Sequence, residues 1–314
     1  MKTIYLNQEF IEMPDCVATI GVFDGVHLGH QRLIGMMAAK AREQQRSSMV
    51  ITFDRQPQQL FDPAYHPQLL TTLEEKESII SQMGIDFLVV LPFTHELAAL
   101  TAGAFMRQIL WEQLHVRTLV IGYDNRFGKN RAEGFDDYVR YGQQIGMQVL
   151  RGDAEMMANG KKAVSSSVIR ELLTENGDVA LMPQYLTRNY ALTGHIVSGE
   201  HIGHQLGFPT ANLSPDSSDK LIPAAGAYAV WAYVEGESQR RPAMMNIGTR
   251  PTFDGSHQTL EVNILHFDGD LYEKKVTVSF VERLRPERRF ESPEDLTAQL
   301  HRDRSQVEQL LKER

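Results

Sequence analysis

The sequence predicts an α/β doubly wound domain over residues 1–187, followed over 188–314 by a small antiparallel β-barrel domain with a C-terminal helix. Three observations carry this expectation. From Val17 to Arg151 short apolar runs alternate with helical segments. Beyond Arg188 the hydrophobic period drops to two. After Ser292 it returns to helical spacing.

The candidate strands of the first half are Val17–Gly21, Met49–Phe53, Phe87–Leu91, Thr118–Gly122 and Met147–Leu150. They are short and mostly apolar without alternation, as in a parallel sheet covered on both faces. A helix is expected from Gln31 to about Gln44, with Leu33, Ile34, Met37 and Ala41 near one face. Thr72-Leu73-Glu74-Glu75 reads as a capping box, and Gly84 as the stop of the helix it opens. Thr101 opens another, with Phe105, Ile109 and Leu110 on its buried side, and a further helix over Phe135–Ile145 ends at Gly146.

In the second half, Gly226–Val234, Thr259–Leu265 and Lys275–Phe280 tend to alternate and are separated by turns. Ser292 caps the last helix, Pro293 sits in its first turn, and Leu296, Leu300, Val307 and Leu310 form its stripe.

A chain of 314 residues has room for about two domains. Its net charge of −8 argues against a nucleic-acid partner. Cys16 is the only cysteine, which excludes an internal disulfide and a cysteine-rich zinc site. Residues Met1–Tyr5 lack the apolar core of a signal peptide, and the longest apolar run, Phe87–Phe93, is too short to span a bilayer. The expectation is a cytoplasmic protein with no membrane partner; oligomeric state is not legible.

The stretch richest in chemistry is Gly21-Val22-Phe23-Asp24-Gly25-Val26-His27-Leu28-Gly29-His30, between the first strand and the first helix. A helix N-terminus offers free N–H groups and a partial positive charge to an anion. Gly25 and Gly29 permit close approach of a phosphate, and His27 and His30, three residues apart, can both face it. A second polar turn, Gly122–Arg131, follows the fourth candidate strand. Ligands of such sheets bind beyond the carboxyl ends of the strands, where both turns lie.

This pattern resembles the H-x-G-H signature of the Rossmann-like nucleotidylyltransferases, and the run F-D-G-V-H-x-G-H resembles the bacterial bifunctional riboflavin kinase/FAD synthetase family. The resemblance implies that His27 and His30 stabilise charge as a phosphate oxygen attacks the α-phosphate of ATP. It places Gly21, Phe23, Asp24, Gly25, Asp124 and Arg126 against the nucleotide, with Asn125 where the family usually has Phe. Val164-Ser165-Ser166-Ser167-Val168-Ile169-Arg170 resembles the family's S-S-T-x-x-R motif. It implies phosphate contacts from Ser165, Ser166 and Ser167 and a catalytic Arg170, while Ala163 replaces an arginine of relatives. Phe53, Pro57 and Phe61 lie in a run resembling T-F-x-P-x-P, which implies a flavin site; Gln56 stands for the family's His.

In the second half, His201-Ile202-Gly203-His204 spells the tRNA-synthetase signature, but Gly207 and Pro209 forbid the helix that motif needs. The spaced Gly199, Gly203 and Gly207 suit a loop whose amides wrap phosphates. The run through Thr210 and Asn212 resembles the G-x-P-T-A-N hallmark of riboflavin kinase, which implies that these two side chains hold Mg²⁺ and the nucleotide. Leu260-Glu261-Val262-Asn263 resembles the family's L-E-x-H, with Glu261 as base and Asn263 for His. The runs Asn246–Thr252 and Leu284–Glu287 resemble further family segments.

The implied function is phosphorylation of riboflavin to FMN in the second domain, then adenylyl transfer from ATP to FMN in the first, giving FAD and pyrophosphate. Riboflavin, FMN and ATP are then substrates and Mg²⁺ the cofactor. Three alternatives stay open at this level: one inactive site, another H-x-G-H nucleotidylyltransferase, or a non-enzymatic flavin carrier.

Overall fold

The computed structural model describes residues 1–6, 12–62, 64–153, 155–157, 163–198, 208–252, 255–267 and 269–312, with backbone alone at 250–252 and 255–257. Two compact units divide the chain, Met1–Ser166 and Ser167–Arg314.

The first unit is a parallel sheet of β1 (Lys2–Tyr5), β2 (Cys16–Ile20), β3 (Ser47–Phe53), β4 (Phe87–Leu91), β5 (Val116–Ile121) and β6 (Gln148–Arg151), in the order β1-β4-β3-β2-β5-β6. Alternate residues of each strand feed opposite faces. Ala18, Ile20, Met49, Ile51, Val89 and Leu119 share one core with Phe105 and Leu110. Val17, Val50, Leu88, Val90 and Val120 share the other with Ile34, Met37, Ala38 and Ala41. A strand buried on both sides has no polar face, so apolar runs without alternation were the right signal.

Strand β1 escaped the sequence reading. It is four residues long, pairs Lys2 with Phe87 at the sheet edge, and buries only Ile4. Helix α1 (Leu28–Glu43) buries Ile34, Met37, Ala38 and Ala41, an i, i+3, i+4, i+7 stripe. Then come α2 (Pro57–Phe61), α3 (Leu73–Ser81), α4 (His95–Ala99) and α5 (Ala102–Phe105), which runs on in wider turns over Met106–Gln113, and α6 (Phe135–Ile145). The Thr72 hydroxyl accepts from Glu75 N–H at 3.2 Å and the Glu75 carboxylate from Thr72 N–H at 3.0 Å, the reciprocal cap its sequence announced.

The strand order reverses direction at β2. From there the chain adds β3 and β4 on one side and β5 and β6 on the other. The crevice beyond Ile20 and Ile121 is therefore the switch point of the sheet.

The second unit opens with α7 (Ser166–Glu171, its first residue shared with the first unit) and α8 (Met182–Leu186). The sequence reading attached 167–187 to the first half; here the segment packs with the barrel. Ala224 N–H donates to Leu173 O at 2.9 Å, and the Arg283 guanidinium to Asn176 O at 2.6 Å. Gly177 has φ +64°, and a Cβ there would stand 2.5 Å from the Tyr228 hydroxyl, so no larger residue fits.

The barrel is closed, in the order β10-β11-β8-β7-β12-β9, by β7 (Ala191–Val197), β8 (Ala211–Pro215), β9 (Gly226–Val234), β10 (Arg241–Thr252), β11 (Gly255–Ile264) and β12 (Lys275–Pro286). Strands β7, β8 and β10 were not named from sequence. Helix α9 (Pro293–Lys312) packs Val307 and Leu311 with Phe208, Ala229, Met244 and Val281. The stripe therefore runs through Leu311, with Leu310 only partly buried beside it. Asp303, on the same helix, is buried and its carboxylate pairs with the Arg285 guanidinium at 2.9 Å.

Candidate active site

In the first unit the chain leaves β2 and turns through Gly21–His27 into α1. Gly21 N–H donates to Ile51 O at 3.1 Å. Phe23 (φ 50°), Gly25 (φ 81°) and Val26 (φ 40°) are all left-handed. Glycine adopts that conformation freely; a β-branched valine rarely does. Each such non-glycine residue costs on the order of 1–3 kcal/mol and persists only where its surroundings hold it.

Asp24 supplies the hold. Its buried carboxylate accepts from Leu70 N–H and Thr71 N–H, each at 3.0 Å, and the Thr71 hydroxyl accepts from Gly25 N–H at 2.9 Å. Asp24, which the sequence reading set against the nucleotide, thus aims its carboxylate at the 70–71 segment. Ser166 adds a further tie, its hydroxyl donating to Asp24 O at 2.8 Å.

His27 is the N-cap of α1, its Nδ1 accepting from His30 N–H at 3.4 Å, a long bond. The two imidazoles stack with centroids 3.6 Å apart and planes 22° from parallel. Phe23 meets His30 edge-on at 5.2 Å. His30 Nδ1 is closed off from solvent and meets no hydrogen-bond partner among the described residues. Burial first, then His27 and Lys76, hold the His30 imidazole well below its ordinary range, so it is neutral at pH 7.

Lys76 is the residue that sequence reasoning missed. It lies on α3, is buried, and donates to the Thr52 hydroxyl at 3.2 Å; that hydroxyl donates to Val22 O at 3.2 Å. Burial pushes its ammonium down to about 8, with Asp24 partly opposing. The only sequence signal was a lysine at a helix position facing the core, which the capping box immediately before it did not explain.

Beside this turn lies a cavity of about 560 Å³. Phe53, Pro57 and Phe61 all line it, as do Asn125 and Arg126 of the second turn. Asn125, where the family usually carries Phe, uses its amide to cap β2, Nδ2 donating to Ile20 O at 2.6 Å. Gln56 N–H donates to the Gln59 side-chain Oε1 at 2.9 Å, starting α2. Asp124 is exposed on the same turn. Ser165 precedes α7, Ser167 is exposed, and Arg170 lies in its last turn, within the second unit.

In the second unit Glu261 on β11 pairs with Asn212 on β8 and with Asn246 on β10. Directly paired residues share one face of a sheet. Thr210, Asn246, Glu261 and Asn263 line a cavity of about 270 Å³ with Phe208 and Phe290. Asn263, which stands for the family's His, is buried and donates to Pro209 O at 2.6 Å, fixing the segment that carries Thr210. The two further runs also meet: Thr249 N–H donates to the Glu287 carboxylate at 3.3 Å. Gly199, Gly203 and Gly207 lie outside the described residues.

Among the described residues no cluster of His, Cys, Asp and Glu could hold a metal by itself. The hard ligands at the second cavity are oxygens, from the Thr210 hydroxyl, the Asn246 and Asn263 amides and the carboxylates of Glu261, Glu287 and Asp303, the last already paired with Arg285. That set suits Mg²⁺ shared with substrate phosphates rather than caged by protein.

The FAD synthetase family model matches residues 10–168 and the riboflavin kinase family model residues 186–311. The chain is similar to the bifunctional riboflavin kinase/FMN adenylyltransferase of Escherichia coli K12, at 36% identity over 92% of this chain and 90% of that one. It is similar to the Bacillus subtilis enzyme of the same name at 33% identity, over 98% and 97%. A solved structure described as a macrolide-efflux protein from Streptococcus pneumoniae matches with TM-score 0.87 and 30% identity over 98% of each chain. That description belongs to that protein; here no described helix is long and apolar enough to cross a membrane. On these matches the chain belongs to the bifunctional riboflavin kinase/FMN adenylyltransferase family.

Proposed function

We propose that the second unit phosphorylates riboflavin to FMN and that the first transfers the adenylyl group of ATP to FMN, through the residues placed above. The observation that supports this best is that each family-matched segment holds its own cavity, one lined by Phe53, Pro57, Phe61 and Arg126 beside the turn that leads to His27, the other by Thr210 and Glu261.

In the first reaction Glu261 takes the proton of the ribityl 5′-hydroxyl as its oxygen attacks the γ-phosphate, and ADP leaves. Thr210 and Asn212 hold the nucleotide. Mg²⁺, when bound through Thr210, Asn212 and the phosphates, offsets charge between them. In the second reaction an FMN phosphate oxygen bonds to the α-phosphorus of ATP while the bond to the β-phosphate oxygen breaks, releasing pyrophosphate. His27, His30 and the amides at the start of α1 face the charge that develops on the α-phosphate. The Ser165 and Ser166 hydroxyls contribute to phosphate binding. A cytoplasmic setting belongs to the same reading.

The test is direct: riboflavin, ATP and Mg²⁺ with the purified protein, products separated by chromatography, and FMN supplied in a parallel tube. Both FMN and FAD are expected from riboflavin. FMN alone, FAD from supplied FMN alone, or neither would each reject one or both halves of the proposal.

A further inference from the structure

The 560 Å³ cavity of the first unit has an uneven lining. Phe53, Phe61, Phe93, Leu97, Phe105 and Phe127 give it apolar walls, and no aspartate or glutamate of the described residues lines it. Among the described residues its only cations are Arg126 and Arg131. Gly21 and Val22 form part of the lining as well, and the turn they begin ends at His27. Apolar walls with two positive charges beside an anion-receptive turn suit a flat aromatic ligand that carries one anionic end.

The loop that bears the two arginines is fixed in place. The residue before Arg126 is tied to β2 by the Asn125 amide. The residue after it is tied to α6: Phe127 stacks on Tyr138 at 4.2 Å, and Phe127 N–H donates to the Tyr138 hydroxyl at 3.0 Å. Gly128 lies so close to α5 that a Cβ would stand 2.6 Å from Ala102 N. Asn130 (φ 60°) and Arg131 (φ 51°) are consecutive left-handed residues, a turn that folds Arg131 back to the cavity. Neither guanidinium forms an ion pair with a carboxylate of the described residues. Two unneutralised arginines on a rigid loop are available to a ligand.

Riboflavin and FMN differ only at the phosphate, and only FMN carries the nucleophile for adenylyl transfer. Apolar walls alone would hold both equally, and riboflavin would then block the site. We infer that Arg126 and Arg131 bind the terminal phosphate of FMN and so select the phosphorylated flavin for adenylyl transfer. This rests on the adenylyl-transfer reading and moves Arg126 from the nucleotide to the flavin.

The experiment measures FAD formation by the full chain from FMN and ATP, with 5′-deoxyriboflavin as competitor. That analogue lacks the hydroxyl that the second unit would phosphorylate, so it reports affinity for the unphosphorylated flavin. R126Q and R131Q should each raise the KM for FMN on the order of 10-fold, as for loss of one exposed charge-assisted contact. The inhibition constant of 5′-deoxyriboflavin and the KM for ATP should stay unchanged. R126K, which keeps the charge and loses the fork, should fall between. If FMN and the analogue weaken together, or neither weakens, or the KM for ATP rises instead, the assignment is overturned. If the unaltered chain makes no FAD from supplied FMN, the adenylyl-transfer reading itself fails, which is a separate result.

Discussion

Asn212 and Glu261 are directly opposed across the β8–β11 ladder, so an amide and a carboxylate far apart in sequence share one face of the barrel. The pairing places the proposed base beside the proposed nucleotide ligand. E261Q should lower the phosphorylation of riboflavin by roughly 10²–10⁴-fold, as for loss of a general base, and leave FAD formation from supplied FMN intact. N212A should act mainly on the KM for ATP in that same step. Steady-state assays of the two steps separate these outcomes.

The turn before α1 depends on Asp24. D24N keeps the shape but removes the charge from hydrogen bonds to Leu70 and Thr71, and points donors at donors. The first unit should lose about 2–4 kcal/mol, measured by urea unfolding. An unchanged midpoint would show that Asp24 does not hold the strained Phe23 and Val26 in place.

Lys76 gives a pH signature. Its folded-state value of about 8 lies below the ordinary 10.5, so the folded chain binds fewer protons than the unfolded chain between those limits. The cost of burying the ammonium is full below pH 8 and fades as pH rises toward 10.5. Relative to K76M, the wild-type chain should therefore gain stability over that window, by at most about 3 kcal/mol. Denaturant titrations of both proteins at pH 7 and pH 10 measure the difference; a constant offset would contradict it.

His30 gives another. Its imidazole is held neutral at pH 7 by burial, His27 and Lys76. A bound polyphosphate supplies the missing negative charge and raises its proton affinity. Nucleotide binding to the first unit should therefore take up protons at pH 7 and tighten as pH falls. Calorimetry in buffers of different ionisation enthalpy reads the proton count, and H30N should abolish the uptake. Proton release on binding would refute the assignment.

Much of this was legible in the chain itself, and the exceptions have physical causes. Phe87–Leu91 and Phe135–Ile145 could be bounded from sequence because a doubly buried strand and a glycine-stopped amphipathic helix carry strong local patterns. Lys2–Tyr5 is a strand only because β4 offers it an edge. Strand β7 was not named from sequence, since its pairing with β12 and β8 is set by the closed barrel. Phe53, Pro57 and Phe61, close in sequence, line one cavity. Lys76 and the Arg285–Asp303 pair stayed hidden because a buried charge is recognisable only once its partners are in space.

The central claim is that two separate sites act in series on one polypeptide, and H27A tests it most directly. Given riboflavin, ATP and Mg²⁺, this variant should accumulate FMN at the wild-type rate while FAD formation falls on the order of 10²–10³-fold, as for loss of one transition-state donor. Loss of both products from a folded protein, or FAD formed at the wild-type rate, would contradict the account.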